Sequence, residues 1–420
     1  MLEKFKAVGY TNIVNSSTTE TILTTNMQVL LLMPVFLLVL GCALSMGKLL
    51  GIAVLLRIFL CWKYKRSYNK LIFKSKLFKL SIFFMFIYLL LLLIPTIIMH
   101  GNIGEIGHYF ERMLPFFLLF LVADEETDIW RSVWWGISCS LFVICLGTLP
   151  YAVAGQLPLQ GIFSWHNTLG GTLALLLPIF YFGLYKSMMK CKTMVGGLML
   201  LAIALVLMVL TESRGALLAC LVSVIVFLVG IALKRKWTIK RIGSCIIIAV
   251  ILVGSFVTAS TFMGLNLNRN IAEDGRVALL KSSWHMFVDH PLLGVGIGNW
   301  GTEYDNVYGV NNVEKNIDSP HNIFLQELNE AGVIGLSGFL ALLGFQYYYL
   351  LKSARADINS NITKLQWSFA ILLTYTVTLV HGQVDYIFFQ RNYQMLYWLF
   401  WGIYCWDSLR KNLFNKINSY

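Results

Sequence analysis

The sequence predicts an all-α integral membrane protein that crosses the bilayer about twelve times, with one large loop between helices 9 and 10. Of its 420 residues, 57% are hydrophobic and only 13% are charged, whereas soluble domains carry roughly a quarter charged residues. Apolar runs of about 20 residues, enough to cross ~30 Å of hydrocarbon, recur along the chain. No alternating barrel pattern appears, so helices must satisfy the backbone hydrogen bonds.

Polar breaks between the apolar runs set the helix boundaries. The second and fourth runs are short for a full crossing and contain Arg57 and Arg112, so each is interpreted as tilted, broken or partly re-entrant. The predicted spans are 27–46, 49–62, 80–99, 109–123, 129–149, 168–185, 194–210, 216–233, 242–262, 333–351, 365–380 and 395–406.

The basic residues predict the orientation, because short cytoplasmic loops retain Lys and Arg. Alternate breaks at 63–79, 186–192, 234–241 and 352–364 hold most of them, as does the tail after residue 407. Both termini are then cytoplasmic, and the loop 263–332 lies on the opposite face. The net charge of +12 reports topology and contact with anionic membrane lipids. We expect no nucleic-acid binding.

We interpret residues 1–420 as a single polytopic membrane domain whose chemistry is concentrated in the loop 263–332. The eight cysteines lack CxxC or metal-binding spacing, so no metal site is predicted. The GxGxG at 294–298 follows a proline in this loop, without the strand and helix of a dinucleotide site. Its glycines predict a tight turn with close backbone approach.

Two arginines are candidates for binding an anion. Arg214 lies between two apolar runs, at the external membrane surface. It is either a snorkelling or Glu212-paired residue, or a planar fork for the phosphate of a lipid-linked substrate. Arg276 begins a helical pattern at 277–285 that predicts an amphipathic helix on the membrane surface. It is either an interfacial basic residue or, with Arg214, a second ligand for a diphosphate.

His321 is the candidate for proton transfer, since an unperturbed imidazole has a pKa of ~6.5. It follows Pro320 at the predicted start of a helix, where it either accepts a sugar hydroxyl proton or has a structural role. Asp318 and Glu327 flank it, but we assign neither a catalytic role.

Further polar residues lie at the external ends of other helices. Asp385 and Arg391 are predicted either to brace the site as a pair or to form a structural ion pair. His166 begins the sixth helix, and with its neighbour Asn167 it either faces the same cavity or caps that helix.

Taken together, these motifs resemble the bacterial O-antigen ligase family, within the wider group of O-antigen ligases and polymerases. The resemblance covers roughly residues 212–336 and does not separate ligases from polymerases. Its elements occur in the family's order: Ser213-Arg214-Gly215-Ala216, Gly275-Arg276 with Trp284, the HPLLGVG run 290–296, Pro320-His321-Asn322, and AGVIGL at 331–336.

The resemblance implies an inverting, metal-independent glycosyltransferase without a cofactor, in the bacterial inner membrane, with a periplasmic active site. Its donor is polysaccharide linked to undecaprenyl diphosphate, and its acceptor is the lipid A-core oligosaccharide. Arg214 and Arg276 would hold the diphosphate and His321 would deprotonate or orient the acceptor hydroxyl. Asn322, Asp385, Arg391 and His166 are expected to contact substrate.

Three other functions compete with a ligase. A repeat-unit polymerase of the same group uses the same donor. A protein O-oligosaccharyltransferase of the group usually has an added C-terminal domain, and this chain ends soon after its last predicted helix. A transporter would place its ionisable groups at mid-bilayer, so their clustering in the loop favours an enzyme.

Overall fold

The computed structural model describes residues 18–64, 75–124, 128–186, 191–236, 275–309, 317–360, 362 and 364–417. These residues form helices joined by turns, with no strand among them. The first eight helices, α1 to α8, are Thr18–Ala43, Gly47–Tyr64, Lys76–Ile98, Ile103–Val122, Ile129–Val153, His166–Tyr185, Cys191–Leu210 and Arg214–Lys234. Then follow α9 (Arg276–Asp289), α10 (Trp300–Glu303), α11 (Ile323–Asn359), α12 (Trp367–His381) and α13 (Arg391–Ile417).

The all-helical prediction is confirmed for the described residues, and the protein is a multi-pass membrane protein. A helix covers most of every predicted span except the ninth, 242–262, which lies outside the described residues. Among the described residues, α3, α5, α6, α8 and α11 are long and apolar enough to cross a membrane. Shorter apolar helices occur at 29–43, 194–210 and 367–381. The count of twelve crossings remains a prediction.

The last helix, α13, lies at the centre of the bundle. Residues 392–406 are all buried, and α13 packs against α4 and α1. Its tryptophans are too large to be buried without packing partners, and a buried indole N–H usually finds an acceptor. Trp401 accordingly donates to the Ser81 hydroxyl of α3 at 2.9 Å.

The charges in the two short spans are paired or hydrogen-bonded. The Arg57 Nη1 atom of α2 lies 2.8 Å from the Asp124 carboxylate, and both side chains are buried. Arg112 of α4 donates to the Phe389 carbonyl at 2.9 Å. A charge inside a membrane bundle needs such partners. Both helices run unbroken, so the interpretation of either as a broken span is wrong.

A kink at Gly332 divides α11 into a short loop-side helix and a long apolar one. Gly332 has φ 63° and ψ −165°, a conformation essentially restricted to glycine. The turn at 291–298 packs here: Val295 N–H donates to the Asn329 carbonyl at 2.8 Å and Gly296 N–H to the Glu330 carbonyl at 2.9 Å. Gly294 and Gly296 have positive φ. The predicted tight turn with close backbone approach is therefore confirmed.

Replacing Gly332 with alanine is expected to destabilise the protein. The new Cβ would clash with the backbone of Leu292 and lie 2.5 Å from the Leu293 nitrogen. In addition, alanine would adopt this backbone conformation at a cost of roughly 1–3 kcal/mol. Thermal unfolding in detergent, followed by tryptophan fluorescence, measures the loss. Gly344→Ala is the matched control, because a Cβ at Gly344 in the same helix meets open space. Equal midpoints for the two variants would contradict the role of the kink.

Candidate active site

His321 is held at the start of α11 by its neighbour. The Asn322 Oδ1 atom accepts from the backbone N–H groups of Phe324 at 2.9 Å and Leu325 at 3.0 Å, which caps the helix. Its Nδ2 group donates to the Gln383 carbonyl at 2.9 Å. Asn322 therefore ties the His321 segment to the turn after α12. Both ends of its side chain are thus bonded within the protein. Substrate contact by Asn322 remains a prediction.

His321 forms a pair with Asp385, which is 64 residues away along the chain. The His321 Nδ1 atom lies 3.0 Å from Asp385 Oδ1, and the side chains are 25% and 8% exposed respectively. A carboxylate only accepts hydrogen bonds, so we assign the proton to Nδ1. The Nε2 atom then carries a lone pair. The partly exposed imidazole is thus oriented by a buried carboxylate, as in general-base catalysis.

The Asp385 carboxylate remains ionised at neutral pH. Burial alone would raise the pKa of Asp385, but the hydrogen bond from His321 and the charge interaction with His381 oppose burial, and the pKa falls below its ordinary value. The backbone N–H of Tyr386 also donates to Oδ1 at 2.7 Å. A charged carboxylate stabilises the imidazolium that forms when His321 takes a proton.

A second imidazole, His381, adjoins the same carboxylate. His381 ends α12, is fully buried, and places Nε2 3.8 Å from Asp385 Oδ2. It packs between α6 and α8, where a Cβ added at Gly171 would lie 3.0 Å from its ring and one at Gly215 would lie 2.6 Å from it. Sequence reasoning missed this residue as a member of the site. Its signal is the spacing of four residues from Asp385.

Arg214 and Arg276 each occupy the first position of a helix, α8 and α9 respectively. The residues before them, Ser213 and Gly275, make no side-chain capping hydrogen bond among the described residues. Helix N-termini attract anions through unpaired N–H groups and the macrodipole. Each arginine thus adds a guanidinium to an end of a helix that already favours negative charge.

The helix start that carries Arg214 and the charge of Arg276 both bear on His381, which adjoins the His321–Asp385 pair. Gly215, which follows Arg214, is in the slot that holds the His381 ring. The Arg276 guanidinium is near enough to His381 for their charges to interact. Residues from α6, α8, α9 and α12 and from the start of α11 therefore meet at one end of the bundle.

The predicted amphipathic helix is α9, and it is apolar on two opposite faces. Leu279 and Met286 are buried against Trp300 in the loop's own hydrophobic cluster. Val277, Leu280, Trp284 and Val288 form an exposed stripe about half a turn away around the helix, at roughly 100° per residue. Such a stripe is typical of a helix that rests on a membrane surface, which stays a prediction for α9.

The remaining predicted residues have other contacts. Arg391 pairs with Glu111 of α4, whereas Asp385 pairs with His321, so the predicted Asp385–Arg391 pair is wrong. The reason is that α13 packs against α4, while the Asp385 side chain is buried. His166 Nδ1 lies 2.9 Å from the Thr211 carbonyl, just before the Arg214 turn. Asn167 is buried inside α6 rather than capping it, so that interpretation is wrong.

Neither acidic residue that flanks His321 in sequence is the partner of His321. Glu327 is buried and accepts a hydrogen bond from the Tyr88 hydroxyl at 2.6 Å. Asp318 is exposed beside the backbone of Gly301. The decision to assign neither a catalytic role stands as a prediction.

Comparison with known proteins agrees with the sequence motifs. Residues 198–340 match the model of the family described as O-Antigen ligase, so the resemblance is confirmed for this segment. The chain is also 28% identical over 188 residues to the teichuronic acid biosynthesis protein TuaE of Bacillus subtilis (strain 168). That similarity covers 41% of this chain and 37% of TuaE. Together these matches support a membrane enzyme of polysaccharide assembly.

Proposed function

We propose that this chain is an O-antigen ligase that transfers polysaccharide from undecaprenyl diphosphate to lipid A-core oligosaccharide. The match of residues 198–340 to the O-Antigen ligase family is the premise. The observation that carries the proposal is the His321–Asp385 pair, 3.0 Å apart, beside two helix N-termini that each begin with an arginine. One half of this site suits proton removal and the other suits an anionic leaving group.

His321 acts as the general base in this proposal. Its Nε2 lone pair takes the proton of an acceptor sugar hydroxyl while the hydroxyl oxygen attacks the anomeric carbon of the donor sugar. The new C–O bond forms as the anomeric bond to the diphosphate breaks, and one displacement inverts that carbon. Asp385 accepts from Nδ1 and stabilises the imidazolium throughout. General-base catalysis of this kind contributes about 10²–10⁴-fold.

The arginines stabilise the leaving group. When the anomeric bond breaks, its electron pair stays on the diphosphate oxygen, whose negative charge rises without need of a proton. Arg214, at the start of α8, and Arg276, at the start of α9, supply forked guanidinium donors, and the two helix N-termini supply N–H groups. Donors aimed at charge that develops in the transition state are a major source of catalysis.

The proposed topology brings both lipid substrates to this site. Both termini would be cytoplasmic and the loop 263–332 periplasmic, in the bacterial inner membrane, because the basic breaks of the twelve-span topology all fall on one side. The exposed stripe of α9 would rest on the periplasmic leaflet, which holds Arg276 at the depth of a lipid phosphate. His166, Asn322 and Arg391 lie at the same end as the site and remain proposed substrate contacts.

Arg214→Lys is expected to reduce transfer by at least about tenfold, because an ammonium is a point charge without the bidentate fork. Transfer rates of purified protein at saturating acceptor measure this. Arg131→Lys is the matched control, since Arg131 is an exposed arginine of α5. Near-full activity of Arg214→Lys would make Arg214 an interfacial anchor instead.

A repeat-unit polymerase is the second candidate. The similarity to TuaE supports keeping it, because that relative is named for teichuronic acid biosynthesis and not for O antigen. A polymerase would use the same base and the same arginines, and only the acceptor would differ. A protein O-oligosaccharyltransferase and a transporter remain less favoured.

Product analysis separates these candidates. Purified protein in detergent with EDTA is offered an undecaprenyl-diphosphate-linked glycan and lipid A-core. Glycan attached to lipid A-core is the expected product, and its formation with EDTA present would establish metal independence. Glycan that lengthens on undecaprenyl diphosphate instead would identify a polymerase. Absence of either product would contradict both.

A further inference from the structure

The Asp385 carboxylate contacts two imidazoles of different character. His321, 25% exposed, binds Oδ1 through Nδ1 at 3.0 Å, and His381, 0% exposed, places Nε2 3.8 Å from Oδ2. The second contact is longer than a hydrogen bond but within the range of an ion pair. One face of the carboxylate thus serves the proposed base, and the other faces a buried group that has no role in the proposed reaction.

His381 is fixed by its surroundings. Neither of its ring nitrogens has a hydrogen-bond partner among the described residues, so packing holds the ring. Gly171 on α6 and Gly215 on α8 leave the space that the ring fills, and a Cβ at Gly215 would lie 2.6 Å from its Cδ2 atom. A buried polar group without partners is destabilising, so its presence in this slot needs an explanation.

The charged and titratable groups around His381 come from four segments of the chain. Asp385, in the turn after α12, is nearest, and Arg276 at the start of α9 acts on the ring through its charge. Arg214 precedes Gly215 at the start of α8, and His321 lies on the far side of Asp385. His381 therefore lies both in the slot beside Arg214 and next to the carboxylate that orients His321.

We propose that His381 is a positioning residue that holds the Asp385 carboxylate in the orientation that His321 requires. In this role the Nε2–H group, whose nitrogen is 3.8 Å from Oδ2, draws negative charge from that oxygen and leaves Oδ1 for His321. The inference rests on the proposed function of His321 as a base. It adds a residue that acts through Asp385 and never touches substrate.

Two amide substitutions distinguish this role from simple packing. The Nε2 group of glutamine reaches approximately the position of histidine Nε2, whereas the Nδ2 group of asparagine reaches that of Nδ1 and points away from Asp385. His381→Gln should therefore keep the donor to Asp385, and His381→Asn should lose it. Both variants change the packing of the same buried slot, but a mere packing role predicts no pH shift at His321 in either.

The first measurement does not depend on transfer activity. Diethyl pyrocarbonate modifies unprotonated imidazole, and peptide mass spectrometry reports the extent at His321 as a function of pH. In His381→Asn, Oδ1 should carry more charge, the His321 imidazolium should be favoured, and the modification midpoint should move up by about half a pH unit. In His381→Gln the midpoint should match the wild type. Identical midpoints in the two variants would overturn the proposal.

The second measurement is the pH profile of kcat/KM for transfer. The acidic limb should move to higher pH in His381→Asn, with kcat at neutral pH about fivefold lower, and both should recover in His381→Gln. A midpoint shifted in His381→Asn, together with a wild-type protein that transfers no glycan, would sink the proposed function while the coupling stands. If the acidic limbs of the pH profiles of both variants coincide with that of the wild type, His381 is only a packing residue.

Discussion

Replacing His321 with alanine is expected to reduce glycosyl transfer by at least about 100-fold, because the reaction loses its general base. The protein should remain folded, since the side chain is 25% exposed and contributes little to packing. His321 has φ 52°, which alanine tolerates poorly. His321→Asn is therefore a second variant, because asparagine accepts positive φ but is not a base. Transfer rates of the purified proteins measure the effect.

His285→Ala is the matched control for this experiment. His285 lies in the same loop, on α9, and its side chain is exposed, so its loss should leave the rate within about twofold of the wild type, as expected for a surface change remote from the site. Normal transfer by both His321 variants would contradict the assignment of the base. An equal loss in His285→Ala would show that any histidine substitution disturbs the loop.

Asp385→Asn is expected to reduce transfer by at least about 100-fold, close to the loss of the base itself. The amide has no negative charge to stabilise the imidazolium, and its N–H₂ group can hold His321 in the wrong tautomer. Because loss of that charge disfavours the imidazolium, the acidic limb of the kcat/KM profile should move to lower pH. A pH series on the purified variant measures the transfer rate and the position of the acidic limb.

Asp318→Asn controls for removal of an acidic residue near His321. Asp318 precedes His321 by three residues and is exposed, so its substitution should leave both the rate and the pH profile unchanged. An Asp385→Asn variant with the wild-type rate would show that the 3.0 Å contact has no catalytic consequence. A comparable loss in both variants would point to the general negative charge of the loop.

Much of the helical fold follows from the sequence, because apolar runs bounded by polar breaks have few alternatives in a membrane. The start of α6 was predicted within a few residues of His166, and α9 was expected from its periodic pattern. The start of α11 after Pro320 is predicted too, but its continuation past residue 351 to Asn359 is not. The helix before Gly332 carries polar residues whose burial the sequence does not predict: Glu327 accepts from Tyr88 of α3, and Glu330 accepts from Gly298 in the turn at 291–298.

The site was predicted by residue type but not by pairing. His321 and Arg214 stood out because ionisable residues are rare in this chain. Their partners depend on packing between helices distant in sequence: Asp385 contacts His321 because Asn322 bonds to the turn after α12. Arg391 contacts Glu111 because α13 lies against α4. His381 was overlooked because it ends an apolar run, where its glycine slot is invisible in the sequence.

The central claim is that this end of the bundle breaks the bond between a glycan and a lipid diphosphate. The most direct test supplies wild-type protein in nanodiscs with a radiolabelled undecaprenyl-diphosphate glycan and lipid A-core, and measures free undecaprenyl diphosphate against transferred glycan. The account predicts one undecaprenyl diphosphate released per glycan transferred, and almost none from His321→Ala. An intact donor, or equal release by wild type and His321→Ala, would contradict it.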